Sequence, residues 1–233
     1  MDYRLPHRIP HIIRLDGKTF HTYVKKVKCE KPFDENLHNA MCQAAIALCE
    51  QITNARFAYI QSDEISILIH PKNTLSQPWM GNRLQKIASV SASIATAHFN
   101  FWMKNHIEHE GTLAFFDSRA FILPQHEVHN YFWWRQSDAI RNSVSMLARH
   151  HFSHKKLYKK SRTDMLDMLN EIGVEHSKLP FWSQCGSGIK KFHSSVSQFT
   201  VKRWRRIDVP LWINETNFFD DYVANPVYEK SNE

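Results

Sequence analysis

Glycine is scarce in this chain. Six occur in 233 residues, at Gly17, Gly81, Gly111, Gly173, Gly186 and Gly188. No spacing among them makes a G-x-G-x-x-G turn or a P-loop. Phosphates would therefore have to be held by side chains and metal ions, not by a glycine-rich backbone cradle. Long apolar runs are also missing: no stretch of about 18 residues could cross a bilayer. The four cysteines, Cys29, Cys42, Cys49 and Cys185, form no C-x-x-C pair and no disulfide framework. Met1-Asp2-Tyr3-Arg4 lacks the pattern of a secretory signal. These absences point to a reduced, cytoplasmic setting with no membrane partner. The 15 histidines supply no zinc pattern either. His150, His151 and His154 lack an H-E-x-x-H arrangement, and His126 with His129 has no second pair at ligand spacing.

What is present is an ordinary globular composition, 42% hydrophobic and 23% charged. Residues 9–15 read as a strand that stops at the turn signal Asp16-Gly17-Lys18. Residues 33–53 carry apolar side chains at helical spacing, with a lysine-rich loop before them. Strands are predicted over 57–61 and 65–69, with a hairpin tip at Ser62-Asp63-Glu64 between them. A long helix over 79–104 and a strand over 113–122 complete a β-α-β-β-α-β order. That order predicts an α+β, ferredoxin-like fold: a four-stranded antiparallel sheet with two helices on one face. Residues 1–126 would form a palm-like catalytic core. Residues 127–233 would be a helical and irregular extension packed on it within one structural unit. In that extension the pattern predicts a helix over 128–152 and a capping box of Ser161 with Asp164 opening a helix to 170. Loops are expected at 183–187 and 194–197, short strands at 199–201 and 207–212, and a frayed tail from 225.

The predicted topology makes two acids stand out. Asp16 ends the first strand, and Asp63 with Glu64 occupies the hairpin tip. The first strand and the hairpin are neighbours in such a sheet, so the carboxylates approach each other at one end. Close carboxylates repel unless a cation lies between them. Hard oxygen ligands suit Mg²⁺, which retains waters and binds substrate phosphates, and two such ions can serve a phosphoryl displacement. Taken alone, Asp16-Gly17 is also an ordinary turn and Asp63-Glu64 an ordinary solvated tip. Candidate phosphate cations are Lys31 before Pro32-Phe33-Asp34, and Arg83 with Lys86, which share a helix face.

Several segments resemble the tRNA(His) guanylyltransferase superfamily, in order along residues 3 to about 190. They are Arg14-Leu15-Asp16-Gly17-Lys18-Thr19-Phe20-His21, Lys31-Pro32-Phe33-Asp34, Gln61-Ser62-Asp63-Glu64, and the set Arg83, Lys86 and Ser89. Phe116-Asp117-Ser118-Arg119 and the run from Tyr131 through Trp134-Arg135-Gln136 to Asp138 continue it. The resemblance implies a palm-like enzyme that adds nucleotides to the 5′ end of tRNA in the 3′-to-5′ direction. It implies that Asp16, Asp63 and the Gly17 carbonyl hold two Mg²⁺, with Glu64 as a supporting catalytic acid. By the same resemblance Lys18, Lys31, Ser62, Arg83, Lys86 and Asn142 belong to the nucleotide site, and Asp34 lies near the base. ATP would first adenylylate a 5′-monophosphate. The 3′-hydroxyl of an incoming NTP, GTP included, would then attack and release AMP. A 5′-triphosphate end would release pyrophosphate instead.

The guanylyltransferases proper carry His-Ile-Asn-Asn after the Trp-Arg-Gln motif, where this chain has Ile140-Arg141-Asn142-Ser143. In that respect it resembles the bacterial and archaeal guanylyltransferase-like proteins, which repair truncated tRNA 5′ ends. The family resemblance also implies a homotetramer.

Charge is unevenly spread. Residues 149–206 hold 13 Lys+Arg against 4 Asp+Glu, net +9, while the rest holds 17 against 19. Lys155, Lys156, Lys159, Lys160, Lys190, Lys191 and Arg203, with Arg135 upstream, are the candidate RNA contacts, interleaved with aromatics that can stack on bases. Two other readings fit parts of the pattern: a palm-type nucleotidyl cyclase, and an inactive RNA-binding protein.

Overall fold

The computed structural model describes residues 2–73, 75–106, 111–196 and 199–224. Its centre is one six-stranded sheet: β1 (His11–Gly17), β2 (Ala55–Gln61), β3 (Glu64–Ile69), β4 (Phe116–Ile122), β5 (Ser187–Val196) and β6 (Phe199–Asp208). The spatial order is β4-β1-β3-β2-β5-β6, and every neighbouring pair is antiparallel. The helices are α1 (Phe20–Lys26), α2 (Glu35–Gln51), α3 (Leu84–His106), α4 (Val128–His151), α5 (His154–Leu157), α6 (Arg162–Glu171), α7 (Phe181–Cys185) and α8 (Asp220–Val223). The first four strands with α2 and α3 follow the predicted order, each β-α-β unit enclosing one strand of the other.

Alternation along the strands divides the core in two. Ile13, Leu15, Ala58, Ile60, Ile65 and Ile67 face the side covered by α2 and α3. Ile12, Phe57, Tyr59 and Leu68 face the other side, where Phe132 of α4 packs with Trp212 and Phe219. Ala40, Ala44 and Ala45 of α2 are fully buried. Such small side chains let α2 lie closely beside α3, whose Ala95 is buried in the same cluster. Gln136 of α4 pins the C-terminal segment: its Nε2 donates to the Pro210 carbonyl at 2.9 Å and its Oε1 accepts from the Trp212 N–H at 2.9 Å.

Several expectations are corrected. The sheet has six strands, not four, because residues 187–208 form a long hairpin beyond β2 where loops and two short strands were expected. The extension is therefore not simply helical and irregular. Residues 181–185 form α7, overlapping the loop expected at 183–187, and a short helix α1 occupies part of the lysine-rich loop. The expected helix over 79–104 is a 3₁₀ turn, Trp79–Asn82, followed by α3; positive φ at Met80 and Gly81 separates them. The capping box is present, with Ser161 Oγ accepting from the Asp164 N–H at 3.1 Å and Asp164 Oδ2 from the Ser161 N–H at 2.8 Å. Ser197 and the tail from 225 lie outside the described residues.

Candidate active site

Strand directions fix the two ends of the sheet. Asp16 of β1 lies across from Glu64 at the start of β3, and Gly17 across from Phe116 at the start of β4. The Gly17 N–H donates to the Asp63 carbonyl at 3.1 Å. Asp16, Asp63 and Glu64 thus meet at one end. Gly17 cannot carry a side chain there, because a Cβ would overlap the Phe20 ring.

A cavity of about 660 Å³ opens at this end. Gly17, Ser62 and Asp63 line it from the sheet, Lys31 and Asp34 from the entry to α2, and Asn142 from α4. Six residues picked out by sequence are thus gathered around one space. Burial raises the Asp63 carboxyl above the usual carboxylate range, and the charges of Asp16 and Glu64 add to the rise while hydrogen bonds to its own backbone and Ser62 oppose it.

Glu64 stands differently. Its carboxylate is forked by Arg135, at 2.8 Å from Nε and 2.6 Å from Nη2. Asp34 is the N-cap of α2: Oδ1 accepts from the Leu37 N–H and Oδ2 from the Glu30 N–H, both at 2.8 Å. Its carboxylate is occupied by the backbone, as a helix cap requires.

Other candidates fall elsewhere. Lys18 is exposed just past β1, outside the cavity lining. Arg83 and Lys86 lie at the opposite end of the sheet. α3 starts there, with the Leu84 N–H on the Tyr3 carbonyl, and runs back so that Asn100 and Thr96 meet Ala114 and Phe116 at the site end. Arg83 also pairs with Asp2 at 3.3 Å. Within one chain, neither cation joins the cavity. Arg135, expected to meet RNA, is only 7% exposed and committed to Glu64 and Asp138. Lys155, Lys156, Lys159 and Lys160 are exposed on and after α5, while Lys190, Lys191 and Arg203 are exposed on the β5–β6 hairpin.

The cavity also contains residues that sequence reading passed over. His38 stacks on Trp182 with centroids 4.4 Å apart and sits 3.0 Å from Ser187 Oγ. Burial, with help from the Arg206 charge, lowers its pKa to about 3, so it is neutral. Arg149 brings positive charge to the α4 wall, and His150 lines it beside Arg149. Their only sequence signal is the i, i+7 spacing from Asn142 to Arg149, two turns along one helix.

The donor chemistry fits a divalent cation. Among the described residues, neither Asp16 nor Asp63 has an ion-pairing cation, since the nearby guanidinium belongs to Glu64. Among the described residues no three or more His, Cys, Asp or Glu are placed so that together they could hold a metal ion. Asp63 lines the cavity and Asp16 stands at the adjoining strand end, outside the lining; two such carboxylates match ions completed by waters and substrate phosphates, not an all-protein cage.

Comparison with known proteins identifies the family. Residues 1–124 match the family model described as tRNA(His) guanylyltransferase. A bacterial tRNA(His) guanylyltransferase-like protein solved in complex with ATP is 42% identical, with a TM-score of 0.87 over 95% of this chain and 93% of that one. A bacterial guanylyltransferase-like protein solved with GTP is 40% identical, with a TM-score of 0.83 over 96% and 93%. The tRNA(His) guanylyltransferase of Schizosaccharomyces pombe is 35% identical over 135 residues, 57% of this chain and 50% of that protein. The match thus spans about half the length of such curated guanylyltransferases. With more than half of its length matching the family model and nearly all of it matching homologous structures, the chain belongs to the tRNA(His) guanylyltransferase family of nucleotidyltransferases.

Proposed function

We propose that this protein adds nucleotides to the 5′ end of tRNA in the 3′-to-5′ direction, on a ferredoxin-like polymerase palm, as a 5′-end repair enzyme. The observation that carries this is the joint placement of Asp16 and Asp63 at one end of the sheet, beside a cavity large enough for a nucleotide. Asp16 and Asp63, with the Gly17 carbonyl, would hold two Mg²⁺. Bound there, the ions lower the pKa of the attacking hydroxyl and neutralise charge on the phosphates.

The chain's own groups supply the rest. Burial and the neighbouring Asp16 and Glu64 charges disfavour an ionised Asp63, and a bound cation would offset both. Lys31 and Asn142 face the cavity from opposite walls and would bond the triphosphate, with the Ser62 hydroxyl beside the acids. Trp182 and Phe33 offer flat apolar surface for a base. ATP joins a 5′-monophosphate end with loss of pyrophosphate. The 3′-hydroxyl of an NTP then displaces AMP, its proton passing to solvent. Arg83 and Lys86 would reach a triphosphate only from a second copy, which accords with a tetramer. Residues 127–233 serve as the tRNA-binding extension of the core at 1–126, in the cytoplasm. Ile140 and Ser143 stand where dedicated guanylate addition uses His and Asn, which favours templated repair over that single reaction.

The test is a labelled tRNA lacking its first nucleotide, incubated with ATP, Mg²⁺ and all four NTPs. We expect 5′ extension matched to the opposing strand, and its loss by at least about 10³-fold in Asp63→Asn, the scale of an essential electrostatic group. Failure to extend both monophosphate and triphosphate ends would overturn the reading.

A further inference from the structure

A largely buried ion pair ties the acid end of the sheet to α4. Arg135 lies on α4, and its guanidinium grips both oxygens of Glu64, at 2.8 and 2.6 Å. Arg135 Nη2 also donates to Asp138 Oδ2 at 3.2 Å. The Ser66 hydroxyl donates to Glu64 Oε1 at 3.2 Å and lies 2.8 Å from the Tyr131 hydroxyl of α4. Both oxygens of Glu64 are thus engaged by protein groups, whereas Asp63, its immediate neighbour, faces the cavity. A bidentate Arg–carboxylate pair is geometrically specific, and at 7% exposure for Arg135 it is little screened.

The pair sits where it can set a distance. Glu64 follows the Ser62–Asp63 turn directly. Two helical turns beyond Arg135 stands Asn142, whose Nδ2 is 3.5 Å from Asp138 Oδ2. Asp138 also pairs with Arg141. A connected set of polar contacts therefore runs from the acid end of the sheet, through Glu64, Arg135 and Asp138, to the α4 wall of the cavity.

We propose that Arg135 is a positioning residue: through Glu64 it clamps the Ser62–Asp63 turn to α4, and Glu64 acts as that clamp and not as a metal ligand. The clamp fixes how far Asp63 stands from Asn142 and the α4 wall. This rests on the reading of Asp16 and Asp63 as the metal-holding pair. The Arg135 guanidinium, a candidate RNA contact on sequence grounds, is thereby assigned to the interior of the site.

The experiment titrates Mn²⁺ alone into the full chain and follows free Mn²⁺ by electron paramagnetic resonance, with a thermal midpoint for each variant. Wild type binds Mn²⁺ and Asp63→Asn does not. Arg135→Met weakens binding about 10-fold or more, the range for groups that orient metal ligands. Arg135→Lys, which keeps the charge but not the two-pronged fork, recovers only part of it. The double variant Glu64→Gln/Arg135→Met binds no more weakly than Arg135→Met and melts higher, since no charge is left buried alone. If Arg135→Met fails to fold, the double variant carries the test, with binding about 10-fold below wild type expected. Wild-type affinity in a folded Arg135→Met or in the double variant overturns the clamp. So does a further tenfold loss in the double variant relative to Arg135→Met, because Glu64 would then be a ligand in its own right. Absence of Mn²⁺ binding in wild type, or its persistence in Asp63→Asn, overturns the underlying two-carboxylate reading and the clamp with it.

Discussion

His38 and His11 are histidines that folding keeps neutral. His38 is buried against Trp182 and Ser187, and burial followed by the Arg206 charge lowers its pKa to about 3. For His11, burial lowers it to about 4, with the His70 and His7 charges adding and a hydrogen bond to the Ile9 backbone opposing. Both folded values lie below the ordinary imidazole value of 6.5. The unfolded chain therefore binds protons that the native state refuses. The stability they confer is complete above about pH 6.5 and is lost as pH falls towards 4 and then 3. Within that window each group contributes a slope of about 1.4 kcal/mol per pH unit. Urea unfolding at pH 7.5, 6.0 and 5.0 checks this. His38→Gln should remove about half of the slope that the two histidines supply, and an unchanged slope would refute the assignment.

At the scale of elements, β5 depends on a residue with no side chain. Gly188 pairs with Tyr59 of β2, and a Cβ there would stand 2.8 Å from Phe57 Cζ and 2.9 Å from Val209 Cγ1. Both neighbours are buried, so neither can move freely. Gly188→Ala should destabilise the protein by about 1–3 kcal/mol through overpacking, measured by urea unfolding; a neutral result would mean that β5 does not dock on β2 this closely. The sequence hid this strand for a physical reason. Among its described exposed and buried positions, β5 and β6 alternate little: Lys190, Lys191, Arg203, Arg205 and Arg206 are exposed on both faces, and only Ile189 and Trp204 mark the covered side. The inner strands were legible because both of their faces are covered, giving runs such as Ile65–Ile69 bounded by turns. Asp16, Gly17, Ser62 and Asp63 were legible as strand ends and a hairpin tip. His38, Trp182 and Arg149 were not, because α2, α7 and α4 bring them together across long stretches of chain. For Arg83 and Lys86 the predicted order itself carried the correction. A helix between two parallel strands starts at the end where the first of them finishes, away from Glu64.

At the scale of the molecule, the net +9 of residues 149–206 divides into two patches. Lys155, Lys156, Lys159 and Lys160 follow the end of α4 that lines the cavity with Arg149 and His150. Lys190, Lys191, Lys202, Arg203, Arg205 and Arg206 stud the hairpin, which leaves β2 near Ile60 and runs away from the site end. The hairpin cations crowd one another. After burial, the charges of Arg56, Lys191 and Lys202 lower the pKa of Lys72 beside them. None of the hairpin cations is in a described ion pair with a carboxylate. Like charges held together without counter-charges favour a polyanion that takes up both patches. One strand of ten residues spans about 33 Å, a length that accords with the proposed tRNA substrate lying along the hairpin. Each phosphate contact released by mutation should flatten the plot of log affinity against log salt by about 0.7–0.9. Changing Lys155, Lys156, Lys159 and Lys160 to Ala should therefore lower the slope for truncated tRNA by up to about 3.6. The triple change of Lys190, Lys191 and Arg203 should lower it by up to about 2.5. The two sets should add when combined, because they lie at separate ends. Filter binding across a KCl series gives these slopes, and a slope that neither set alters would place the RNA on another face.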